Sequence, residues 1–134
     1  MSEKSWVPVR AVMRTDVTQV DGKLDVLSAL KIMKKVKATS LIVGRRDERD
    51  EVGMLLFSDV AKQVIAKDRA PERTNVYEIM AKPVISVRPD MDIRNCARLF
   101  ERFGISHAPV LENDKVIGIV SYYLLVLEGL PDLD

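Results

Sequence analysis

Reactive side chains are scarce in this sequence. Its 134 residues contain one cysteine, Cys96, and one histidine, His107. A single cysteine excludes an intramolecular disulfide and any multi-cysteine metal site. A single histidine removes most acid–base and metal-ligand constellations. Neither sign of charge is in excess, since 21 Lys+Arg face 20 Asp+Glu for a formal net charge of +1. That balance gives no overall attraction to nucleic acid or to an anionic membrane surface. Long apolar runs are missing too. Gly53-Met54-Leu55-Leu56-Phe57 and Val116-Ile117-Gly118-Ile119-Val120 are among the longest, far short of the roughly 20 residues a membrane span needs. The opening Met1-Ser2-Glu3-Lys4-Ser5-Trp6 lacks the apolar stretch of a secretory signal. Together these absences predict a soluble, cytoplasmic protein with no membrane insertion and no nucleic-acid partner. They also predict no enzyme activity, because there is no Ser/His/Asp set, metal-ligand cluster or Gly-rich phosphate loop.

What is present is a repeat. Met13 and Met80 lie 67 positions apart, and the same offset pairs Val9 with Val76, Val17 with Val84, Val20 with Val87, Asp25 with Asp92 and Val43 with Val110. Apolar faces keep register as well. Val26, Ala29, Leu30, Met33 and Val36 lie over Ile93, Cys96, Ala97, Phe100 and Phe103, both sets having the i, i+3, i+4, i+7 spacing of one buried helix face. Cys96 falls on that stripe, which makes it an inert core thiol. Asp25 and Asp92 immediately precede the stripes, where a carboxylate caps the first free N–H groups. Each helix is followed by two short apolar runs separated by a polar turn, the second beginning near Gly53 or Gly118. In the first copy that turn is Arg45-Arg46-Asp47-Glu48-Arg49-Asp50-Glu51, charged at every position and read as a solvated loop. A closing helix is expected over 58–67 and over 122–130.

The predicted fold is therefore α/β, two pseudo-twofold-related β-α-β-β-α units packed through their small sheets. The first unit covers 7–67, an apolar-poor linker with a central proline covers 68–75, and the second unit covers 76–130. Each unit is small enough to be marginal alone and gains by packing on its twin, giving one compact module. The last helix, Tyr122-Tyr123-Leu124-Leu125-Val126-Leu127-Glu128-Gly129-Leu130, is apolar nearly all round. Such a helix needs a cover, which predicts a homodimer with contacts from the second copy.

The ordered set of motifs resembles the CBS domain, which occurs in tandem pairs known as Bateman modules. The pieces that carry the resemblance are Val12-Met13-Arg14-Thr15-Asp16-Val17 and Ile79-Met80-Ala81-Lys82-Pro83-Val84, then Gly104-Ile105-Ser106-His107-Ala108-Pro109-Val110 and the strands starting near Gly53 and Gly118. The likeness runs from about Val7 to Glu128. It implies a regulatory module whose inter-repeat cleft binds an adenosine-containing ligand such as AMP, ADP, ATP or S-adenosylmethionine, with an unidentified effector protein as the separate partner. The alternative is a ligand-independent dimerisation or docking scaffold with vestigial clefts. No metal or catalytic cofactor is implied.

In this resemblance the adenine slot falls on Thr15, Asp16, Val17, Lys82, Pro83 and Val84. The cleft lips fall on Thr39, Ser40, Ser106, His107, Ala108 and Pro109. Ribose and phosphate recognition is carried by a Thr/Ser three residues after the glycine and an Asp six after it. The first copy keeps the carboxylate, Asp59, but has Leu56 at the hydroxyl position, while the second keeps Ser121 but has Leu124 at the carboxylate position. Ser58, Lys37 or Lys82 would have to complete the first site, and a nucleotide is expected mainly beside Asp59.

Overall fold

The two apolar stripes form two helices of equal length in a computed structural model that describes residues 6–82 and 84–130. Helix α1 is Val26–Val36 and α3 is Ile93–Phe103. Each starts at the predicted aspartate. Asp25 accepts hydrogen bonds from Ser28 N at 2.9 Å and Ser28 Oγ at 2.7 Å, and Asp92 accepts from Arg94 N at 2.8 Å, so each occupies a free N–H of the first turn. Both helices end in a left-handed residue, Lys37 (φ 57°) and Gly104 (φ 66°). Glycine adopts that conformation without a Cβ penalty and lysine does not. Lys37→Gly is accordingly expected to stabilise the protein by about 0.5–1 kcal/mol, read as a higher urea midpoint at unchanged m-value. One part of the stripe reading does not hold. Val36 and Phe103, at the last turns, are exposed rather than buried, because each is the final helical residue before the chain turns away.

Strands follow the predicted order. In the first copy β1 (Gln19–Val20) runs parallel to β2 (Ser40–Val43), which pairs antiparallel with β3 (Gly53–Leu56). In the second copy β4 (His107–Glu112) pairs antiparallel with β5 (Lys115–Ser121), and Val87 bridges Val110 in parallel where Val20 pairs Val43. The closing helices are shorter than expected. Helix α2 is Phe57–Val60, continued by a π turn over Ala61–Ile65, and α4 is Tyr122–Leu127.

The two spatial units divide the chain differently from the repeats. One is Thr18–Val84; the other joins the described parts of Met1–Val17 and Ile85–Asp134. The opening segments have been exchanged. Val76 and Ile79, from the start of the second copy, pack with Val26, Met33, Leu41 and Leu55 of the first. Val9 and Val12, from the start of the first, pack with Phe100, Val110 and Val120 of the second. Backbone bonds repeat the exchange position for position. Val76 N donates to Leu24 O and Val26 N to Thr74 O, while Val9 N donates to Met91 O and Ile93 N to Val7 O. The edge residues pair likewise, Ala81 with Met54 and Arg14 with Ile119.

Glycine permits these pairings. A Cβ on Gly53 would stand 2.7 Å from Met80 Sδ, and one on Gly118 would stand 2.7 Å from Met13 Sδ and 2.6 Å from Arg14 O. The stretch 68–75 is anchored as well. It contains a 3-10 turn at Pro71–Arg73, Thr74 is buried with its hydroxyl donating to Ala70 O, and Asn75 bridges Asp25.

Candidate functional site

In the Thr18–Val84 unit, the β2–β3 register sets Ser40 opposite Leu56. Thr39 precedes that pair, and the first turn of α2 follows it with Ser58 and Asp59. Four predicted residues thus gather at one end of the sheet. Asp59 is half-buried and accepts a hydrogen bond from Leu56 N at 2.8 Å through Oδ2. Its other oxygen has no partner among the described residues and is open to solvent. Burial pushes the Asp59 carboxyl above the ordinary aspartate value, opposed by the Leu56 N–H and by Lys62. Lys37 is exposed at the end of α1, on the chain leading to this edge.

The equivalent edge of the other unit pairs His107 with Ser121. Ser106 Oγ lies 2.8 Å from His107 Nδ1, and Tyr122 N donates to Ser106 O. Ser121 Oγ accepts from Leu124 N at 3.2 Å. Burial lowers the His107 pKa, which disfavours the imidazolium form that would pair with an anion. Ala108 and Pro109 are buried inside β4. Thr15 and Val17 form a tight turn, Val17 N to Thr15 O, and exposed Asp16 is engaged by Arg14 at 3.0 and 2.6 Å.

A shared geometry explains the split motif. A helix start with a hydroxyl at the N-cap and a carboxylate three residues on is a reciprocal capping box. Here each copy keeps one half and uses it as a cap: Ser121 serves the N3 amide of α4, and Asp59 serves the N-cap amide of α2. The same groups that resemble nucleotide ligands therefore already hold their helices.

Two expectations change. Lys82 is not near Asp59. Its ammonium is 2.5 Å from Asp50, whose carboxylate also accepts from Arg46 N at 2.8 Å and Arg46 Nε at 3.1 Å. Lys82, then Arg46, hold the Asp50 carboxyl well below the usual carboxylate range. The 45–51 loop is therefore not wholly solvated, since Asp50 is its inward anchor, with its side chain 6% exposed. Val84 ends the unit, and Pro83 lies outside the described residues.

This unit also holds an open cavity of about 820 Å³ that no sequence motif marks, lined by Lys23, Gly44, Arg45, Arg46, Tyr77 and Lys82 among others. Its only early signal was Arg45-Arg46 directly after Gly44. Among the described residues no group of His, Cys, Asp and Glu is placed to hold a metal ion, and no helix is long and apolar enough to cross a membrane.

Known proteins share this architecture. The chain is 36% identical over 85% of its length to a homoserine O-acetyltransferase of Methanosalsum zhilinae, of which it spans 22%. The hexameric CBS-CP12 protein from bloom-forming cyanobacteria superposes with a TM-score of 0.90 at 33% identity, covering 93% of this chain and 69% of that one. The CBS domain pair of protein MJ0100, in complex with 5′-methylthioadenosine and S-adenosyl-L-methionine, has the same fold, with a TM-score of 0.78 at 23% identity over 90% of this chain and 94% of that one. The CBS-domain family model matches residues 9–66 and 76–126. With the exchanged opening segments, the capped helices and the strand pairs each occurring twice, the chain belongs to the CBS-domain family as a tandem pair.

Proposed function

We propose that this CBS pair is a regulatory module that binds an adenosine-containing ligand, AMP, ADP, ATP or S-adenosylmethionine, beside Asp59 and signals to a separate effector protein. The carrying observation is the Asp59 carboxylate, half-buried, with one oxygen on Leu56 N and the other open. One carboxylate oxygen accepts a ribose hydroxyl, and Thr39 and Ser58, exposed at the same edge, supply further hydroxyls. The adenosine ligands of MJ0100 support the class of ligand. For signalling, the ligand must favour one arrangement of the protein over another. No catalytic step is assigned to the chain; the acetyltransferase named above is a protein of which it spans 22%.

Titration calorimetry with the four ligands tests the reading. Asp59→Asn retains an acceptor for Leu56 N, so the helix start survives, while affinity should fall about 10- to 100-fold. Because burial raises the Asp59 pKa, its charge is lost as pH falls through a value above the ordinary 3.8. Affinity should therefore decline on acidification earlier than an exposed aspartate would allow. No heat with any of the four ligands would leave the scaffold reading, which the capping duty of Asp59 and Ser121 favours.

The same reading includes a homodimer through α4. Leu124 and Leu125 face the core, but Tyr123, Val126 and Leu127 are exposed, an apolar face that a second copy would cover. Sedimentation at micromolar concentration should give twice the chain mass, and Val126→Glu should return it to the monomer.

A further inference from the structure

The outer side of α1, in the Thr18–Val84 unit, carries charge of one sign. Lys31, Lys34 and Lys35 have the i, i+3, i+4 spacing that sets them on one side of the helix, away from buried Val26, Ala29 and Met33, and Lys37 caps the end. All four are exposed. No aspartate or glutamate occurs between Asp25 and Asp47, in a chain that has 20 such residues. Asp25 is bound to Ser28 and acts on Lys31 only through space. No hydrogen bond or ion pair engages Lys34, Lys35 or Lys37 among the described residues.

The elements beside α1 do not compensate it. Helix α2 and the π turn share its core through Val60 and Val64, and the Pro71–Arg73 turn is tied to its start by the bond from Val26 N to Thr74 O. These stretches add Lys62, Lys67 and Arg73 against Asp59, Asp68 and Glu72, while Arg69 is paired with Glu78. Their charges cancel, and the lysine excess on α1 stands.

For the chain by itself this arrangement is unfavourable. Lys31 repels Lys34 and Lys35. Lys37 stands at φ 57°, where the equivalent residue of the second copy is Gly104, and lysine bears a Cβ penalty that glycine escapes. The helix dipole favours a cation in the last turn, a place already held by Lys34 and Lys35. It gives no reason for Lys31 a turn earlier, nor for a further cation in a left-handed conformation. Helix α3 carries no such run, since Glu101 interrupts its arginines and Arg98 is bonded to Asn95. Local rules broken at adjoining positions, with no return inside the chain, point to a contact outside it.

We propose that the lysine face of α1 is a docking surface for an acidic segment of a partner protein, whose glutamate or aspartate carboxylates pair with Lys31, Lys34, Lys35 and Lys37. From Lys31 to Lys37 the face extends about 9 Å, a distance that carboxylates two or three residues apart on an extended segment span. A membrane or a nucleic acid fits less well. Val36 is the one large apolar side chain that α1 exposes, too little for the helix to enter a bilayer interface. No arginine or aromatic residue of α1 is there to fork onto phosphate or stack on a base. The face ends three residues before Ser40, where the Asp59 edge begins, so a partner seated here lies within about 10 Å of chain from that edge. Docking does not rest on a ligand beside Asp59 and survives the failure of that reading.

The experiment is an amide-resolved NMR titration of the whole chain with an oligoglutamate peptide, repeated with phosphatidylserine vesicles and with duplex DNA at equal concentration of negative charge. The peptide is expected to shift the amides of 31–37, with an affinity that falls as salt is added. Lys34→Gln with Lys35→Gln should weaken it about fivefold. Arg98→Gln with Arg102→Gln on α3 makes the same change in net charge and should leave the affinity within about twofold of the unaltered protein. Lys37→Gly separates docking from folding, because it should raise the urea midpoint while lowering peptide affinity about twofold. Peptide shifts that avoid 31–37, equal losses from the two double variants, or no binding at low salt would overturn the docking surface. Tighter binding of the vesicles or the duplex through 31–37 would overturn the choice of partner.

Discussion

Replacing Gly118 with alanine is expected to destabilise the protein by about 2–3 kcal/mol, and replacing Gly53 by less than about 1 kcal/mol. The two glycines are equivalent in the repeat, yet what a methyl group would meet differs. At Gly118 the added Cβ would be 2.6 Å from the Arg14 carbonyl oxygen and 3.0 Å from Met13 Cγ. That carbonyl accepts from Ile119 N and the Arg14 amide donates to Ile119 O, so it cannot retreat without breaking the backbone bridge at the edge of β5. At Gly53 the only atom closer than 3 Å is Met80 Sδ at 2.7 Å, with Val43 Cβ at 3.3 Å and the Ala81 oxygen at 3.4 Å. A thioether at the end of a flexible side chain moves aside cheaply. Urea unfolding of the two variants measures the difference. Equal losses would mean that Arg14 is not held against Gly118 as described.

Phe100→Ala should have the largest effect of all, about 3–5 kcal/mol, against a total stability for domains of this kind of about 5–15 kcal/mol. Phe100 is fully buried and packs among Val9, Val12, Val110 and Val120, its ring edge-to-face with Tyr122 at 5.2 Å. The loss combines transfer of a large apolar group to water with a cavity that surrounding side chains fill only in part. Where the damage appears is the sharper readout. Amide exchange at Val12 and Met13, which donate to Val9 O, should accelerate with that at Val120, although the first two sit at the other end of the sequence. The corresponding change in the first copy, Met33→Ala, should instead release Ile79 and Met80, which donate to Val76 O. Loss of protection at Ile79 in Phe100→Ala, with Val12 still protected, would refute the segment exchange.

Much of the local structure was legible because it follows from local rules. Asp25 and Asp92 announced the helix starts, and the stripes beginning at Val26 and Ile93 announced which face is buried. Val36 and Phe103 escaped that reading because periodicity says which face a residue occupies, not whether the core extends to its turn. Asp50 escaped it for a related reason. In a run charged at every position nothing distinguishes the one carboxylate that turns inward, since its partner Lys82 lies 32 positions further on. At the candidate sites, the split of Ser121 and Asp59 between the copies was readable. Their use as the two halves of a helix cap became visible only when Leu124 N and Leu56 N were placed.

Local pattern and self-comparison of the chain specify a two-copy α/β protein, the helices and their caps, the pairing of short strands, and the kinship with CBS domains. Each of these depends on neighbours within about ten residues, or on a repeat compared with itself. Which core each opening segment enters is fixed only by long-range contacts. Val9 and Val12 have the same spacing and apolar character as Val76 and Ile79, so either pair fits either core, and local pattern cannot choose between them. The choice is made by backbone bonds and by close approach. Val7 and Val9 pair with 91–93, Thr74 and Val76 pair with 24–26, and Gly118 and Gly53 admit the methionines of the exchanged segments. The same long-range placement brings Tyr77 and Lys82 beside Arg45 and Arg46, which is why the cavity was invisible from sequence.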